Sequence, residues 1–272
     1  MINFNGDFLH ESNSIINSNN RAFKYGDGLF ETIKVVGANI VFLEDHYFRL
    51  MASMRMLRME IPLNFSLEFF EEEIIKTVDN NNFENARVRV TVFRNDGGLY
   101  TPLENSIKYL IEASELKVLK RSNYNVDLYK DFYISSGFLS TIKTTNRILN
   151  VLASIYAKEN ELDNCILINE KKHIVEVTNG NIFLIKENII KTPALSEGAI
   201  KGIVRKKIIE IINELPDFDL IETEISPFEL QKADEVFITN AIVGIQSVTG
   251  YRKTKYSTEI GTELSKKFSK LI

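Results

Sequence analysis

The chain has 272 residues, 44% of them hydrophobic and 26% charged, a balance that excludes a disordered chain, a collagen-like repeat and a disulfide-stapled mini-protein and allows one large domain or two modest ones. Lys and Arg number 33 against 37 Asp and Glu, a net charge of −4 without a basic tract, so nucleic acid is not an expected partner. A single cysteine (Cys165), no apolar run of the ~18 residues a membrane span needs, and an N-terminus (MINFNGDFLHES) unlike a signal peptide together predict a soluble, cytoplasmic protein with no membrane association.

The first third reads as α+β. Residues 29–36 (LFETIKVV) are β-prone, Gly37-Ala38-Asn39 turns, and Ile40 to Leu43 begins a return strand, making a hairpin. Leu43, Tyr47, Leu50, Met51, Met54 and Leu57 recur at three- and four-residue spacing, the mark of a helix with one buried stripe. Pro62 closes that region. Ser66 can cap a second helix, to which Leu67, Phe70, Ile74 and Val78 give an apolar face. Residues 86–93 (ARVRVTVF) alternate strictly: Val88, Val90 and Val92 share one face, Arg87, Arg89 and Thr91 the other, which predicts a strand with one core face. After the turn Asn95-Asp96-Gly97-Gly98, Ile107 to Ala113 returns as its neighbour.

The charged, aperiodic stretch 115–125 (ELKVLKRSNYN) is expected to connect two domains, residues 1–118 and 119–272. Strands are expected at Val126 to Ile134, Cys165 to Asn169, Ile174 to Thr178, Asn181 to Ile185 and Glu235 to Thr239, with hairpin tips at Glu170-Lys171-Lys172 and Glu187-Asn188. A helix is expected from Gly202 to Leu215. Another starts at Ser226-Pro227-Phe228-Glu229, where a serine cap, a first-turn proline and a capping-box glutamate coincide, and a terminal helix spans Ser257 to Leu271. The fold class is α+β, two domains with mostly antiparallel sheets.

Several enzyme signatures are absent: there is no phosphate-loop lysine motif, no GxGxxG after a strand, no GxSxG elbow and no HExxH. The histidines, His10, His46 and His173, are too few and too scattered to suggest a zinc site, so no metal is expected. Lys143, in TIKTTNR after the strand-like stretch 133–141, is either a solvated surface lysine or a desolvated amine that forms a Schiff base. Glu176 lies between Val175 and Val177, on the strand face of Ile174 and Thr178. It is either an exposed or edge glutamate or an inward carboxylate that must be paired.

Six blocks carry a family resemblance: RAFKYGDGLFET (21–32), HYFRL (46–50), IKTTNRILNVLA (142–153), VEVTNGNIFLI (175–185), TPALSEGAIKGIVR (192–205) and ADEVFITNAIVGIQSV (233–248). In this order they resemble the class IV aminotransferase superfamily, the fold-type IV enzymes that use pyridoxal 5′-phosphate (PLP), over nearly the whole chain. The resemblance implies a small N-terminal α+β domain, a larger C-terminal domain carrying the PLP lysine, a homodimer, and a small amino compound as substrate. Lys143 resembles the catalytic lysine that joins the cofactor covalently and then moves the substrate proton. Glu176 matches the glutamate that bonds the pyridine nitrogen, Arg49 the helical arginine on the cofactor phosphate, and Gly202, Ile203 and Val204 the helix start whose N–H groups bind that phosphate.

Motif detail comes closest to the 4-amino-4-deoxychorismate lyases, which release 4-aminobenzoate and pyruvate on the folate route. Lys143, Asn146, Arg147, Val151 and Leu152 fit a KxxNRxxxVL pattern and Asn240-Ala241 replaces the Gly-Thr pair frequent in the aminotransferases at the cofactor site, while GDG at 26–28 fits several members of the superfamily. Ile148 stands where those aminotransferases carry a tyrosine. The glycine-rich loop GGLYTP (97–102) has Leu99 near the place of a carboxylate-binding arginine, for which Arg94 is a substitute. Tyr25, Phe30 and Arg94 are the expected substrate residues. The alternative is an aminotransferase for D-amino or branched-chain amino acids.

Overall fold

Strict alternation over residues 86–93 builds the centre of the first sheet. The computed structural model describes residues 1–272 and divides into two units, residues 1–118 with 143–146, and residues 119–142 with 147–272. In the first unit, β1 (Ile2–Phe4), β2 (Asp7–Leu9), β3 (Gly28–Val36), β4 (Asn39–Ile40), β5 (Asn85–Arg94) and β6 (Ile107–Glu115) form one sheet in the order β2-β1-β6-β5-β3-β4. Every pairing in it is antiparallel. Val88, Val90 and Val92 are buried with Ile33, Val35 and Ile111, on the face that meets α2 (Leu43–Met56) and α3 (Leu67–Asn80). Ser66 caps α3, its hydroxyl accepting from the Phe69 N–H at 3.2 Å.

The stripe on α2 is wider than its apolar pattern. Tyr47, Leu50 and Met54 are buried as expected, but so are His46 and Ser53 on the neighbouring flank. The return strand is shorter than predicted. It ends at Ile40 because Phe42 adopts left-handed backbone (φ 55) and α2 begins at Leu43. A short helix, α1 (Arg21–Tyr25), precedes β3.

Residues 143–146 join the first unit, where the sequence placed Lys143 in the C-terminal domain. The cause is backbone pairing: the Phe30 N–H donates to the Lys143 carbonyl and the Thr145 N–H to the Gly28 carbonyl, each at 2.9 Å. The segment is thereby laid along the first residues of β3.

The second unit has two sheets. One orders β7 (Asn125–Leu128), β8 (Asn164–Ile168), β9 (Ile174–Val177), β15 (Gly250–Tyr251) and β16 (Thr254–Lys255) as β16-β15-β7-β8-β9. The other orders β10 (Asn181–Lys186), β11 (Ile189–Pro193), β12 (Asp219–Thr223), β13 (Glu235–Asn240) and β14 (Gly244–Val248) as β12-β11-β10-β13-β14. Most pairs are antiparallel; β7/β8, β7/β15 and β11/β12 are parallel. Val126, Ile166, Val177, Ile182, Val236 and Val248 share one buried cluster.

Several expected elements differ. The strand predicted over 126–134 stops at Leu128, and the strand-like stretch 133–141 closes in a single tight turn at Phe138–Thr141. A helix the pattern did not announce, α4 (Ile148–Glu159), packs its small residues Ala153 and Ala157 against Tyr129, Cys165 and Leu167. Ser226 and Glu229 do form the reciprocal cap, but it serves only the short turn Pro227–Gln231. The helices α5 (Ile203–Asn213) and α6 (Glu259–Ser269) fall within their predicted ranges. No helix is long and apolar enough to cross a membrane.

Candidate functional site

In the first unit, Lys143 is half-buried and its Nζ stands 4.3 Å from the centre of the Phe30 ring. The Arg89 guanidinium lies over the same ring at 3.8 Å. The register explains the meeting. Phe30 pairs with Thr91 and Thr32 with Arg89, so all four project from one sheet face, the face opposite the buried valines. Burial pulls the Arg89 pKa down, with Glu112 opposing that shift. Sequence reading noted Arg89 only as the polar side of a strand. A basic residue at the half-buried, polar face of a two-faced strand was the available signal.

The next residue of β3 points the other way. Glu31 is buried and takes a forked contact from Arg49, Nε to Oε1 at 2.8 Å and Nη2 to Oε2, while His46 Nδ1 meets Oε2 at 2.7 Å. Burial alone would raise the Glu31 pKa. The Arg49 charge and the bonds from both partners outweigh it and hold the carboxyl at about 2. Burial lowers the His46 pKa against the pull of Glu31. An ionised carboxylate only accepts, so the neutral imidazole donates from Nδ1. Arg49 therefore sits on the His46 flank of α2 within a charged cluster.

Arg94, expected at a substrate carboxylate, has its donors taken up within the chain. It is buried, donating from Nε to Asp27 Oδ2 at 3.0 Å, from Nη1 to Asn105 Oδ1 at 2.6 Å and the Arg58 carbonyl at 3.3 Å, and from Nη2 to the Leu57 carbonyl at 2.7 Å. Asp27 also receives Arg21, whose Nη1 and Nη2 reach the carbonyls of Gly97, Leu99 and Tyr100. Two buried arginines thus staple the loop after β5, and Leu99 stands exposed on it. Tyr25 packs on this loop, 5.6 Å from the Tyr100 ring centre.

Asn146 and Gly26 interlock. Asn146 Nδ2 donates to the Gly26 carbonyl at 3.0 Å, and a Cβ on Gly26, which has φ 64, would collide with the Asn146 amide. The GDG and KTTN motifs, distant in sequence, are one physical feature.

In the second unit, Glu176 is buried on β9 and its Oε2 accepts from the Ile200 N–H at 3.0 Å. β9 is the last strand of its sheet yet buried along its whole length, so Glu176 is an inward carboxylate on an edge strand and not an exposed one. Arg147, whose pKa burial lowers, feels the opposing charge of Glu176. Gly202 precedes α5, and no side chain caps that helix. A Cβ on Gly202 would strike Asn181 Oδ1. Asn181 in turn donates to the Ile200 carbonyl at 2.9 Å. Asn240 spends its side chain on the β13–β14 turn, accepting from the N–H groups of Ile242 and Val243 at 3.1 and 2.9 Å. The preceding residue, Thr239, sits opposite Asn181 with a buried hydroxyl that has no partner in the chain.

The sequence profile of the class IV amino-transferase family matches residues 28–251. A protein assigned as a branched-chain-amino-acid aminotransferase in Methanocaldococcus jannaschii is 28% identical, over 98% of this chain and 94% of its own. The aminodeoxychorismate lyase of Vibrio harveyi is 25% identical over 85% of each chain. The branched-chain amino acid aminotransferase of Escherichia coli shares the fold, with a TM-score of 0.90 at 21% identity over 99% of this chain and 93% of that one. A match across both units makes the chain an enzyme that belongs to the class IV aminotransferase family.

Proposed function

We propose that this chain is a PLP-dependent lyase that converts 4-amino-4-deoxychorismate to 4-aminobenzoate and pyruvate. The observation that carries it is the interlocked Asn146 and Gly26, which gives the asparagine of the lyase-like lysine block a fixed place against the GDG turn. Ile148 agrees: it opens α4 with an exposed apolar side chain where the aminotransferases present a phenol.

The residues suit PLP. The uncapped first N–H groups of α5, behind a glycine that leaves them approachable, are ready to take a phosphate dianion. Arg49 is the guanidinium that the resemblance assigns to the same phosphate. Bound PLP supplies an electrophilic carbon for the substrate amine and a ring that draws electron density from the neighbouring carbon. Glu176, held by the Ile200 N–H, keeps a proton on the ring nitrogen by accepting its hydrogen bond. The Lys143 amine takes the proton from the amine-bearing carbon of the substrate. Loss of that proton breaks the adjacent bond to the enolpyruvyl oxygen; the departing enolpyruvate gains a proton to become pyruvate, and the remaining ring becomes aromatic. Arg89, stacked on the Phe30 ring that Lys143 also faces, takes the carboxylate role that sequence gave to Arg94.

Homodimerisation belongs to the same proposal, supported by the exposed apolar row Ile148, Val151 and Ile155 on α4. So does the cytoplasm, supported by a lone, buried cysteine. A second reading, an aminotransferase for branched-chain or D-amino acids, is favoured by the archaeal relative. Aminodeoxychorismate supplied alone, with no keto acid, decides between them. The lyase gives many turnovers of pyruvate and 4-aminobenzoate, whereas steady conversion of L-leucine or D-alanine with 2-oxoglutarate, and no pyruvate from aminodeoxychorismate, replaces it with the aminotransferase.

A further inference from the structure

Alternation along β3 sends Phe30 to the Lys143 side of the sheet and Glu31 to the α2 side. Glu31 is 1% exposed and engages Arg49 through two nitrogens. Nothing in the sequence motifs gives this glutamate a task. We propose that Glu31 is the positioning residue that aims Arg49 at the cofactor phosphate, with His46 locking the Glu31 carboxylate; this rests on Arg49 being the phosphate ligand, as read above.

Two opposite effects of Glu31 have to be weighed. Its negative charge opposes a phosphate, so removing it could tighten binding. Its fork, however, fixes the plane of a guanidinium that is only 14% exposed, and a guanidinium stripped of its buried counter-charge turns toward water. The fork uses Nε and one Nη2 hydrogen, and a guanidinium carries about five N–H groups in a fixed plane. Holding the plane on one side therefore directs the other. His46 is also 1% exposed and donates to the same Oε2 that Arg49 Nη2 contacts, so the carboxylate cannot rotate without breaking two bonds. Being neutral, His46 adds no charge that would compete with Arg49. Orientation outweighs repulsion in this arrangement, and removal of Glu31 weakens the phosphate contact.

The test uses full-length protein stripped of cofactor and titrated separately with PLP and with pyridoxal, which lacks the phosphate. The ratio of the two Kd values isolates the phosphate contribution within each variant, so general damage to the fold cancels. Arg49→Met should cut the preference for PLP further than any change at Glu31, leaving the part the α5 N–H groups supply. Glu31→Gln, which keeps the shape and loses the charge, should cut it on the order of tenfold while pyridoxal affinity holds within about twofold. Glu31→Asp should fall between, and it carries the test if the glutamine variant does not fold. A preference unchanged or increased on altering Glu31, with Arg49→Met still cutting it, overturns the positioning role and leaves Arg49 as phosphate ligand. An unchanged preference in Arg49→Met overturns both.

Discussion

Glu176 and Asn181 hold Ile200 from both sides: the carboxylate accepts its N–H at 3.0 Å and the carboxamide donates to its carbonyl at 2.9 Å. Ile200 lies two residues before Gly202, where α5 begins. On the proposed reading, the carboxylate meant for the pyridine nitrogen and the helix end meant for the phosphate are thereby tied through one clamped residue.

Glu176→Gln keeps the clamp, because a carboxamide oxygen still accepts from the Ile200 N–H, but removes the ionised partner of the ring nitrogen. PLP should remain bound while kcat falls on the order of 10²-fold, the scale of losing one electrostatic stabiliser. Asn181→Ala does the reverse. It should weaken PLP binding and lower unfolding stability by about 1–2 kcal/mol for an unmade buried hydrogen bond, read by denaturant titration. An unchanged kcat in the first variant contradicts the role of Glu176.

Lys143 should carry the cofactor. Purified protein should be yellow, borohydride should fix the cofactor at Lys143 by peptide mapping, and Lys143→Ala should lose the visible band with nearly all activity. An adduct mapped to another lysine removes the assignment.

Arg89 and Arg94 should separate cleanly. Arg94→Ala breaks a buried ion pair with Asp27 and several carbonyl bonds, and should cost about 3–5 kcal/mol of stability. Arg89→Met keeps an apolar contact with Phe30 and should leave stability within about 1 kcal/mol while raising KM at least tenfold. Equal KM in Arg89→Met and wild type would return the carboxylate role to another residue.

Stability should depend on pH through the cluster at Glu31. The folded His46 pKa lies below its ordinary 6.5, so its contribution is complete above pH 6.5 and is lost as pH falls below that value. Glu31 acts lower. Its pKa drops from 4.5 to about 2, so its contribution is present above pH 4.5 and disappears as pH falls toward 2. Wild-type Tm should therefore decline between pH 7 and pH 5.5, before Glu31 titrates. His46→Gln should start lower at pH 7 and decline less over that interval; parallel curves would exclude His46 as the source.

Periodicity made the local elements legible and left the nonlocal pairings hidden. Val88, Val90 and Val92, the α2 stripe and the Ser66 cap stand where their spacing put them, because each depends on near neighbours. Lys143 joins the first unit through backbone bonds to Gly28 and Phe30 that no side-chain pattern records. α4 escaped because its packed face is alanine, weakly apolar by pattern. Lys143, Glu176, Arg49 and the start of α5 were recognised as motifs. The Arg94 staple and the Glu31–Arg49 fork stayed hidden, because sequence cannot tell an arginine that staples a loop from one that offers its charge, and a glutamate in a strand gives no sign of which helix will answer it.

The excursion of residues 143–146 also sets an order of assembly. During synthesis the first sheet leaves the ribosome with the backbone groups of Gly28 and Phe30 still lacking their mates, since those mates follow the stretch 119–142 of the other unit. The N-terminal portion is completed by a piece inserted late, and that piece carries Lys143, the lysine proposed to hold the cofactor. A truncated product ending near residue 118 should lack that lysine and keep an unpaired stretch at the start of β3, an edge open to proteolysis.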